Sequence, residues 1–483
     1  MILKELIKDI PVSAMTADPD TEIKDIRYDS RAVEPGDLFV AVEGLQSDGH
    51  RFISMAMQKG AAAVLCQHVP EGGVPYILTE DSRRALALVS AAYFGHPSEK
   101  MTMVGVTGTN GKTTSTVLLK HLLEDALGTK VGLVGTISNW IGDREIPTER
   151  TTPESYDLQK LFHDMVEAGC THAVMEVSSH ALALDRVAGV HFNAALFTNL
   201  TQDHLDFHKT MEAYAGTKAM LFSRCDRAFI NIDDPWGGFM LEHARCHAST
   251  FSPGGKKAEL WAEDVTLNPS GVSFTACTGE ERTPVRVGVP GAFSVENALT
   301  AIAAGLMVGV SLADCTASLS RAKGVKGRVE VVPTPDDFTI IIDYAHTPDA
   351  LEKVLRAMKG VSDGRLVALF GCGGDRDRDK RHIMGAIAAR EADFSVVTSD
   401  NPRSEDPVAI IEDILTGMPE SAPKVVIPDR PSAIGWAIEH HQPGDVIVLA
   451  GKGHETYQEI GGQKRHMDER EIVAQYLHRS EDR

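Results

Sequence analysis

The sequence predicts an α/β protein of three domains. These are a small N-terminal α/β domain, a central parallel sheet with a small β-sheet appended, and a Rossmann-like C-terminal α/β domain. Three observations carry this expectation. Short apolar runs alternate with helical patterns, the mark of parallel sheets. A length of 483 residues suits about three domains. The apolar runs end repeatedly in Gly-rich or polar clusters, where parallel sheets gather their ligands. Boundaries are expected near 1–98, 99–326 and 327–483.

The central element is Met103-Val104-Gly105-Val106-Thr107-Gly108-Thr109-Asn110-Gly111-Lys112-Thr113-Thr114. A buried-strand pattern breaks into a Gly-rich turn and then a helix. Such a turn aims backbone N–H groups at one centre, with the positive helix start behind them, which suits phosphate. Lys112 would reach terminal phosphates and the Thr113 hydroxyl would bind Mg²⁺. The usual P-loop has Gly five places before Gly111, where this chain has Val106. The loop is therefore a shorter, P-loop ATPase-like variant with its own Gly108.

Composition bounds the function. The hydrophobic share of 43% and charged share of 24% are those of a globular protein. A formal charge of -20 argues against nucleic-acid binding. The seven cysteines are dispersed without a C-x-x-C pair, as in a reducing cytoplasm. Met1 to Lys8 carries charges throughout and does not read as a secretory signal. No apolar run reaches the roughly 18 residues of a membrane span. A cytoplasmic monomer without membrane contact is expected.

In chain order, Leu38–Val42 and Ala61–Leu65 read as strands, and 52–59 as a helix. The Pro97 region is a linker. Three further strand patterns end in Thr136, in Glu176 followed by Ser178-Ser179-His180, and in Asn199 followed by Asp203-His204. Glu176 at a strand end suits Mg²⁺, which takes oxygen ligands. His204 and His208, four apart, also allow a zinc helix, although no Glu follows the first His. Lys218 alone reads as a solvated helix lysine. Val265–Leu267 and Val272–Phe274 flank the turn Asn268-Pro269-Ser270-Gly271, and an Ala-rich helix holds Asn297. Gly324–Arg328 is the second linker. Strands 340–342, 366–370, 395–398 and 446–450 then run into Asp343–Pro348, Gly371–Arg376, Asp400–Arg403 and Gly451–Glu455. Gly371–Arg376 imitates a dinucleotide fingerprint, but Arg376 replaces its third Gly.

The spelling Thr107-Gly108-Thr109-Asn110-Gly111-Lys112-Thr113-Thr114 resembles the phosphate loop of the Mur ligases and folylpolyglutamate synthetases, which are ATP-dependent amide-forming enzymes. Asp29-Ser30-Arg31, Pro35–Ala41 and Gly44–His50 resemble the N-terminal domain of the Mur ligases that add the third peptide residue. Asp400-Asn401-Pro402-Arg403 resembles their meso-diaminopimelate-adding members. The resemblance implies ATP and Mg²⁺, with UDP-N-acetylmuramoyl-L-alanyl-D-glutamate and meso-diaminopimelate as substrates. For ATP it implies Gly108, Thr109, Asn110, Gly111, Lys112, Thr113 and Thr114, with Asn297 near adenine, Arg328 reaching across a domain boundary, and Asp343 on the ribose. For metal it implies Thr113, Glu176, His204 and a carbamate on Lys218; Lys112, Lys218, Glu176 and His204 would be catalytic.

For the UDP substrate the resemblance implies Ser30, Gln46, Ser47, Arg150, Thr151, Thr152, Ser178 and Arg186. Leu45 and Leu184 stand where some relatives carry His and Gln. For diaminopimelate it implies Arg381, Asp400, Asn401, Pro402, Arg403, Gly451 and Glu455. Arg403 would grip the distal carboxylate in a fork, and Glu455 would hold the ammonium. The alternatives are a lysine-adding ligase, a folylpolyglutamate synthetase, or a nucleotide-gated binding protein without catalysis. Asp400–Arg403 argues against lysine and the UDP-type N-terminal pattern against folate. Intact Lys112, Glu176, His204 and Lys218 argue against a lost activity.

Overall fold

Most of the apolar runs become strands, and polar residues gather where those strands stop. The computed structural model describes all residues except 45, 46, 149, 323, 336, 482 and 483, and the side chains of 206 and 479–481. Two compact units emerge. One holds Met1–Ser252, Lys256–Leu260 and Thr300–Cys315; the other holds Pro253–Gly255, Trp261–Leu299 and Thr316–Arg483.

The first unit contains two sheets. Strands β1 (Ala14–Met15), β2 (Ile26–Arg27), β3 (Leu38–Val40), β4 (Ala63–Cys66) and β5 (Tyr76–Leu78) lie in the order β1-β5-β4-β3-β2. All pairs are parallel except β1 with β5. Leu38, Val40, Leu65 and Ile77 share one buried cluster with Leu86 and Val89 of helix Ser82–Tyr93. The Asp81 carboxylate caps that helix by accepting from the Arg84 amide, satisfying a donor the helix cannot.

The larger sheet comprises β6 (Thr102–Thr107), β7 (Lys130–Val134), β8 (Ser138–Ile141), β9 (Arg144–Pro147), β10 (Cys170–Glu176), β11 (Phe192–Phe197), β12 (Cys225–Asn231) and β13 (His247–Ser252). Within this unit the order is β13-β12-β11-β6-β10-β7-β8-β9. It is parallel from β13 to β7, and β8 and β9 fold back antiparallel. β6 therefore sits between β10 and β11, and the loops after all three share one rim. The β8–β9 hairpin falls where the sequence predicted a loop, because its core-facing positions include Ser138 and Asn139. The Asn139 carboxamide accepts from the Gly135 amide, so polarity there serves a turn.

In the second unit β14 (Leu260–Asn268, from Trp261 on), β15 (Gly271–Thr278) and β16 (Glu281–Val287) form the expected antiparallel ladder around Asn268 and Gly271. A separate sheet contains β17 (Glu330–Val332), β18 (Thr339–Asp343), β19 (Leu366–Phe370), β20 (Phe394–Val397), β21 (Lys424–Val426) and β22 (Val446–Ala450), in the order β17-β18-β22-β19-β20-β21. Only the β17 pairing is antiparallel. β22, last of these in sequence, inserts between β18 and β19, so four polar loops rise from one edge. A two-stranded hairpin, β23 (Tyr457–Ile460) with β24 (Gln463–His466), completes the unit. The sequence pattern did not reveal it, since β24 is wholly exposed.

Among the described residues no helix is long and apolar enough to cross a membrane. One buried ion pair pins the second unit. Arg430, fully buried, donates from Nε to Glu469 Oε1 at 2.9 Å, from Nη1 to the Ser399 carbonyl at 3.2 Å, and from Nη2 to the Ala450 carbonyl at 2.8 Å. It thereby joins the segments that follow β20 and β22. Arg430→Met would strand the Glu469 carboxylate in the interior and is expected to cost about 3–5 kcal/mol in chemical denaturation. Arg430→Met with Glu469→Gln should recover part of that loss.

Candidate functional site

The phosphate-loop cluster is built at the rim of the larger sheet. Gly108 follows β6 with φ 153°, and a Cβ there would stand 1.9 Å from Thr198 Oγ1, so the loop packs against the end of β11 only as glycine. Gly111, in the left-handed region at φ 83°, starts helix Lys112–Leu127. The Thr109 and Asn110 amides are spent on Asn199, donating to its carbonyl and side-chain oxygens at 2.8 and 2.9 Å. These two residues shape the loop, which leaves anion binding to the first amides of the helix. Lys112 Nζ folds back over the loop, donating to the Gly108 and Thr109 carbonyls at 2.8 and 2.9 Å.

Lys218 Nζ reaches the same Gly108 carbonyl at 2.8 Å. It is buried and stands 4.7 Å from the centroid of the Tyr214 ring, whose hydroxyl lies 3.3 Å from Thr109 Oγ1. Burial, reinforced by the charge of Lys112, pushes the Lys218 amine well below the usual lysine range, against a weaker pull from Asp203. Lys218 is therefore not the solvated lysine its local sequence suggests.

Glu176, at the end of β10, is completely buried. Its carboxylate accepts from the Thr113 hydroxyl at 3.0 Å, the Thr136 amide at 2.8 Å and the Thr136 hydroxyl at 3.0 Å. Among the described residues no cation pairs with it. Hydroxyl and carboxylate oxygens beside a phosphate-binding helix start fit a hard divalent ion, which needs few protein ligands. Thr151 and Thr152 join this cluster: the Thr151 hydroxyl is 3.1 Å from that of Thr136, and Thr152 Oγ1 donates to the Glu176 carbonyl at 2.9 Å. Ser178 Oγ, 3.3 Å from Thr152 Oγ1, caps the next short helix. His204 sits at φ 53° with its ring in edge contact with His180 and Tyr214. His208 instead binds Ser179 Oγ and stacks on Tyr214. Among the described residues no three His, Cys, Asp or Glu side chains converge as a metal cage.

A cleft of about 770 Å³ opens beside the N-terminal sheet. Ser30, Ser47, Arg150 and Arg186 line it, with Arg83 and the apolar Phe39, Phe52 and Met55. Gln46 and Leu45 lie outside the described residues. Arg83 Nη1 and Arg186 Nε both approach Glu154 at 3.5 Å, and among the described residues neither of these buried nitrogens makes a hydrogen bond. Burial lowers the Arg186 guanidinium from its ordinary range, with Glu154 opposing. Two guanidiniums sharing one carboxylate leave the cluster net positive beside the cleft, which suits an anion. Leu184 also lines the cleft, whereas Thr151, Thr152 and Ser178 do not.

In the second unit a cavity of about 610 Å³ lies over the edge where β18, β19, β20 and β22 end. Arg376, Lys380, Asp400, Asn401, Arg403 and Glu455 contribute to its wall, as does Gly451. Arg381 does not. Its guanidinium is fully buried and committed to Glu405 at 2.8 and 3.0 Å and to Asp413 at 2.9 Å. This corrects the expectation from sequence: Arg381 lies on the inner face of helix Asp379–Glu391, and the cations offered to the cavity are its neighbours Arg376 and Lys380. Pro402 is also absent from the wall. Arg403 holds φ 52° and donates from Nη1 to the Gly374 carbonyl at 2.7 Å.

Asp343 is buried and accepts from the Val329 and Ala345 amides at 2.8 Å each, while desolvation raises its carboxyl and Arg328 opposes this. The Arg328 guanidinium lies 5.4 Å from the Tyr344 ring centroid. Asn297 is buried on helix Phe293–Met307. These three residues belong to the second unit, and the phosphate loop to the first.

The chain matches three family descriptions in succession. These are Mur ligase family, catalytic domain, over 22–105; Mur ligase middle domain, over 106–305; and Mur ligase, glutamate ligase domain, over 327–453. It is 46% identical over 481 residues, 99% of each chain, to UDP-N-acetylmuramoyl-L-alanyl-D-glutamate–2,6-diaminopimelate ligase 1 of Clostridium acetobutylicum. The ligase of that name from Caldanaerobacter subterraneus subsp. tengcongensis is 46% identical with both chains fully covered. A solved structure of a ligase of that name superposes with a TM-score of 0.77 at 32% identity, over 100% of this chain and 99% of the other. MurF ligase from Thermotoga maritima, in complex with ADP, shares the fold at a TM-score of 0.62 and 20% identity, over 96% of this chain and 99% of its own. With its sequence matched in all three segments and aligned nearly end to end with these relatives, the chain belongs to the Mur ligase family.

Proposed function

We propose that this chain is an ATP-dependent ligase that joins 2,6-diaminopimelate to UDP-N-acetylmuramoyl-L-alanyl-D-glutamate, a step of peptidoglycan precursor synthesis. The observation that carries the reading is the second-unit cavity, where cations (Arg376, Lys380, Arg403) and carboxylates (Asp400, Glu455) share one wall. A donor with a carboxylate and an ammonium at each end needs both signs. Arg376 takes the carboxylate role that sequence reasoning gave to Arg381, and Arg403 supplies the second fork. Lysine lacks the distal carboxylate and would leave a guanidinium unmatched, which can cost about 10⁴ in discrimination.

The cleft beside the N-terminal sheet would hold the UDP end, with Arg83 and Arg186 beside the diphosphate. Helix Lys112–Leu127 would present its first amides to the phosphates of ATP, and Lys112 would unfold from the loop carbonyls to meet them. Thr113 and Glu176, with His204, would hold Mg²⁺, which supplies charge neutralisation during phosphoryl transfer. The dipeptide carboxylate would take the terminal phosphoryl group of ATP, releasing ADP; the amine of diaminopimelate then attacks the carbonyl of that acyl phosphate, gives up a proton and expels phosphate. Lys218, kept neutral by burial, is suited to add CO₂: its nitrogen forms the new C–N bond and releases a proton, leaving an anionic carbamate beside the phosphate loop.

Phosphate release that requires ATP, the UDP-muramoyl dipeptide and meso-diaminopimelate together tests the function; release without the amino acid would overturn it. Arg376→Ala is expected to raise KM for diaminopimelate by about 10- to 100-fold, the range of a hydrogen bond to a charged group, with KM for ATP unchanged. Lys218→Met, similar in length and without the amine, should remain folded by thermal unfolding yet lose about 10²–10³ in kcat. Intact-mass measurement of the wild type in bicarbonate should show a carbamate mass that Lys218→Met lacks.

A further inference from the structure

Lys452 is completely buried in the loop after β22, one of the segments that line the second-unit cavity. Its Nζ donates to Glu455 Oε2 at 2.5 Å and to Asn401 Oδ1 at 2.9 Å, and stands 5.0 Å from the centroid of the Tyr457 ring. Asn401 closes the triangle by donating from Nδ2 to the same Glu455 oxygen at 3.0 Å. Its own Oδ1 also accepts from the Glu459 amide at 2.9 Å. The Asn401 oxygen is thus occupied inside the protein and one of its two Nδ2 hydrogens is given to Glu455, even though its residue lines the cavity. Glu455 divides its two oxygens. Oε2 takes both internal donors, and Oε1 has no partner among the described residues while Glu455 lines the cavity.

We infer that Lys452 is a positioning residue for amine-donor recognition. With Asn401 it fixes the Glu455 carboxylate in one rotamer, so that Oε1 is left as the receptor for the distal ammonium. The assignment rests on the diaminopimelate reading above and deepens it. A buried lysine has no other task here: it reaches no solvent, and its hydrogen bonds run to the two recognition loops. Two internal donors on one carboxylate oxygen hold the group in place without filling the other oxygen. The arrangement also makes Asn401 a strut for Glu455.

The test compares two donors in the full-length enzyme: meso-diaminopimelate, and 2-aminopimelate, which keeps the distal carboxylate and lacks the distal ammonium. The second is scored as substrate or as competitive inhibitor. Lys452→Met is expected to weaken diaminopimelate by about 10- to 100-fold, the range of a hydrogen bond to a charged group, and 2-aminopimelate by less than about twofold. Combined with Glu455→Gln it should add nothing to the loss that Glu455→Gln alone produces, since both remove one interaction. Lys452→Gln, read the same way, replaces Lys452→Met if that variant does not fold. Equal weakening of both donors, or additive losses in the double variant, would reduce Lys452 to a structural role and overturn the assignment. A wild type that ligates diaminopimelate with this preference unchanged in the variants overturns the assignment alone. A wild type that does not ligate diaminopimelate overturns the function on which it rests.

Discussion

Two lysine side chains converge on one carbonyl oxygen, and the chemistry of the first unit depends on that crowding. Lys112 and Lys218 both donate to the Gly108 oxygen. Two full positive charges so close, one of them buried, are unfavourable, and the strain falls on the buried amine. The geometry exists because Gly108 permits contact with Thr198, which draws the loop down to the depth of Lys218. Any side chain at Gly108 would lift the loop and separate the amines.

Much of this was readable in advance, and for identifiable reasons. Strands buried on both faces are continuous apolar runs, so Thr102–Thr107, Leu366–Phe370 and Val446–Ala450 stood out, and the loops that follow them carry the polar clusters. Side chains whose meaning comes from distant partners were not readable. Thr136 gains its role only where β7 and β10 lie side by side, placing it over Glu176. Tyr214 carries no signal in the sequence, and its place follows only from the ring meeting Lys218 and the hydroxyl meeting Thr109. Arg376 stands in the loop before helix Asp379–Glu391 and Arg381 five residues on within it, and nothing local says which one is drawn inward. Tertiary pairing with Glu405 and Asp413 decides it.

The second unit shows how a parallel sheet makes a selective cavity from loops that are far apart in sequence. The insertion of β22 between β18 and β19 puts Gly451–Glu455 beside Asp343–Pro348 and Gly371–Arg376. Arg430 secures the base of Gly451–Glu455 and of Asp400–Arg403, and Lys452 ties their tips. Charges of both signs can then face the same volume without collapsing onto each other, because several already have internal partners.

The β23–β24 hairpin gives this cavity an external handle. The Arg403 amide donates to the Glu459 carbonyl, and the Gly461 amide donates back to the Arg403 carbonyl, so a left-handed backbone turn is held by a peripheral ribbon. The ribbon is joined by a tight Gly461-Gly462 reversal and has one wholly exposed strand. Sequence drift on that outer strand could therefore retune amino-acid choice by rotating Arg403, without altering any wall residue.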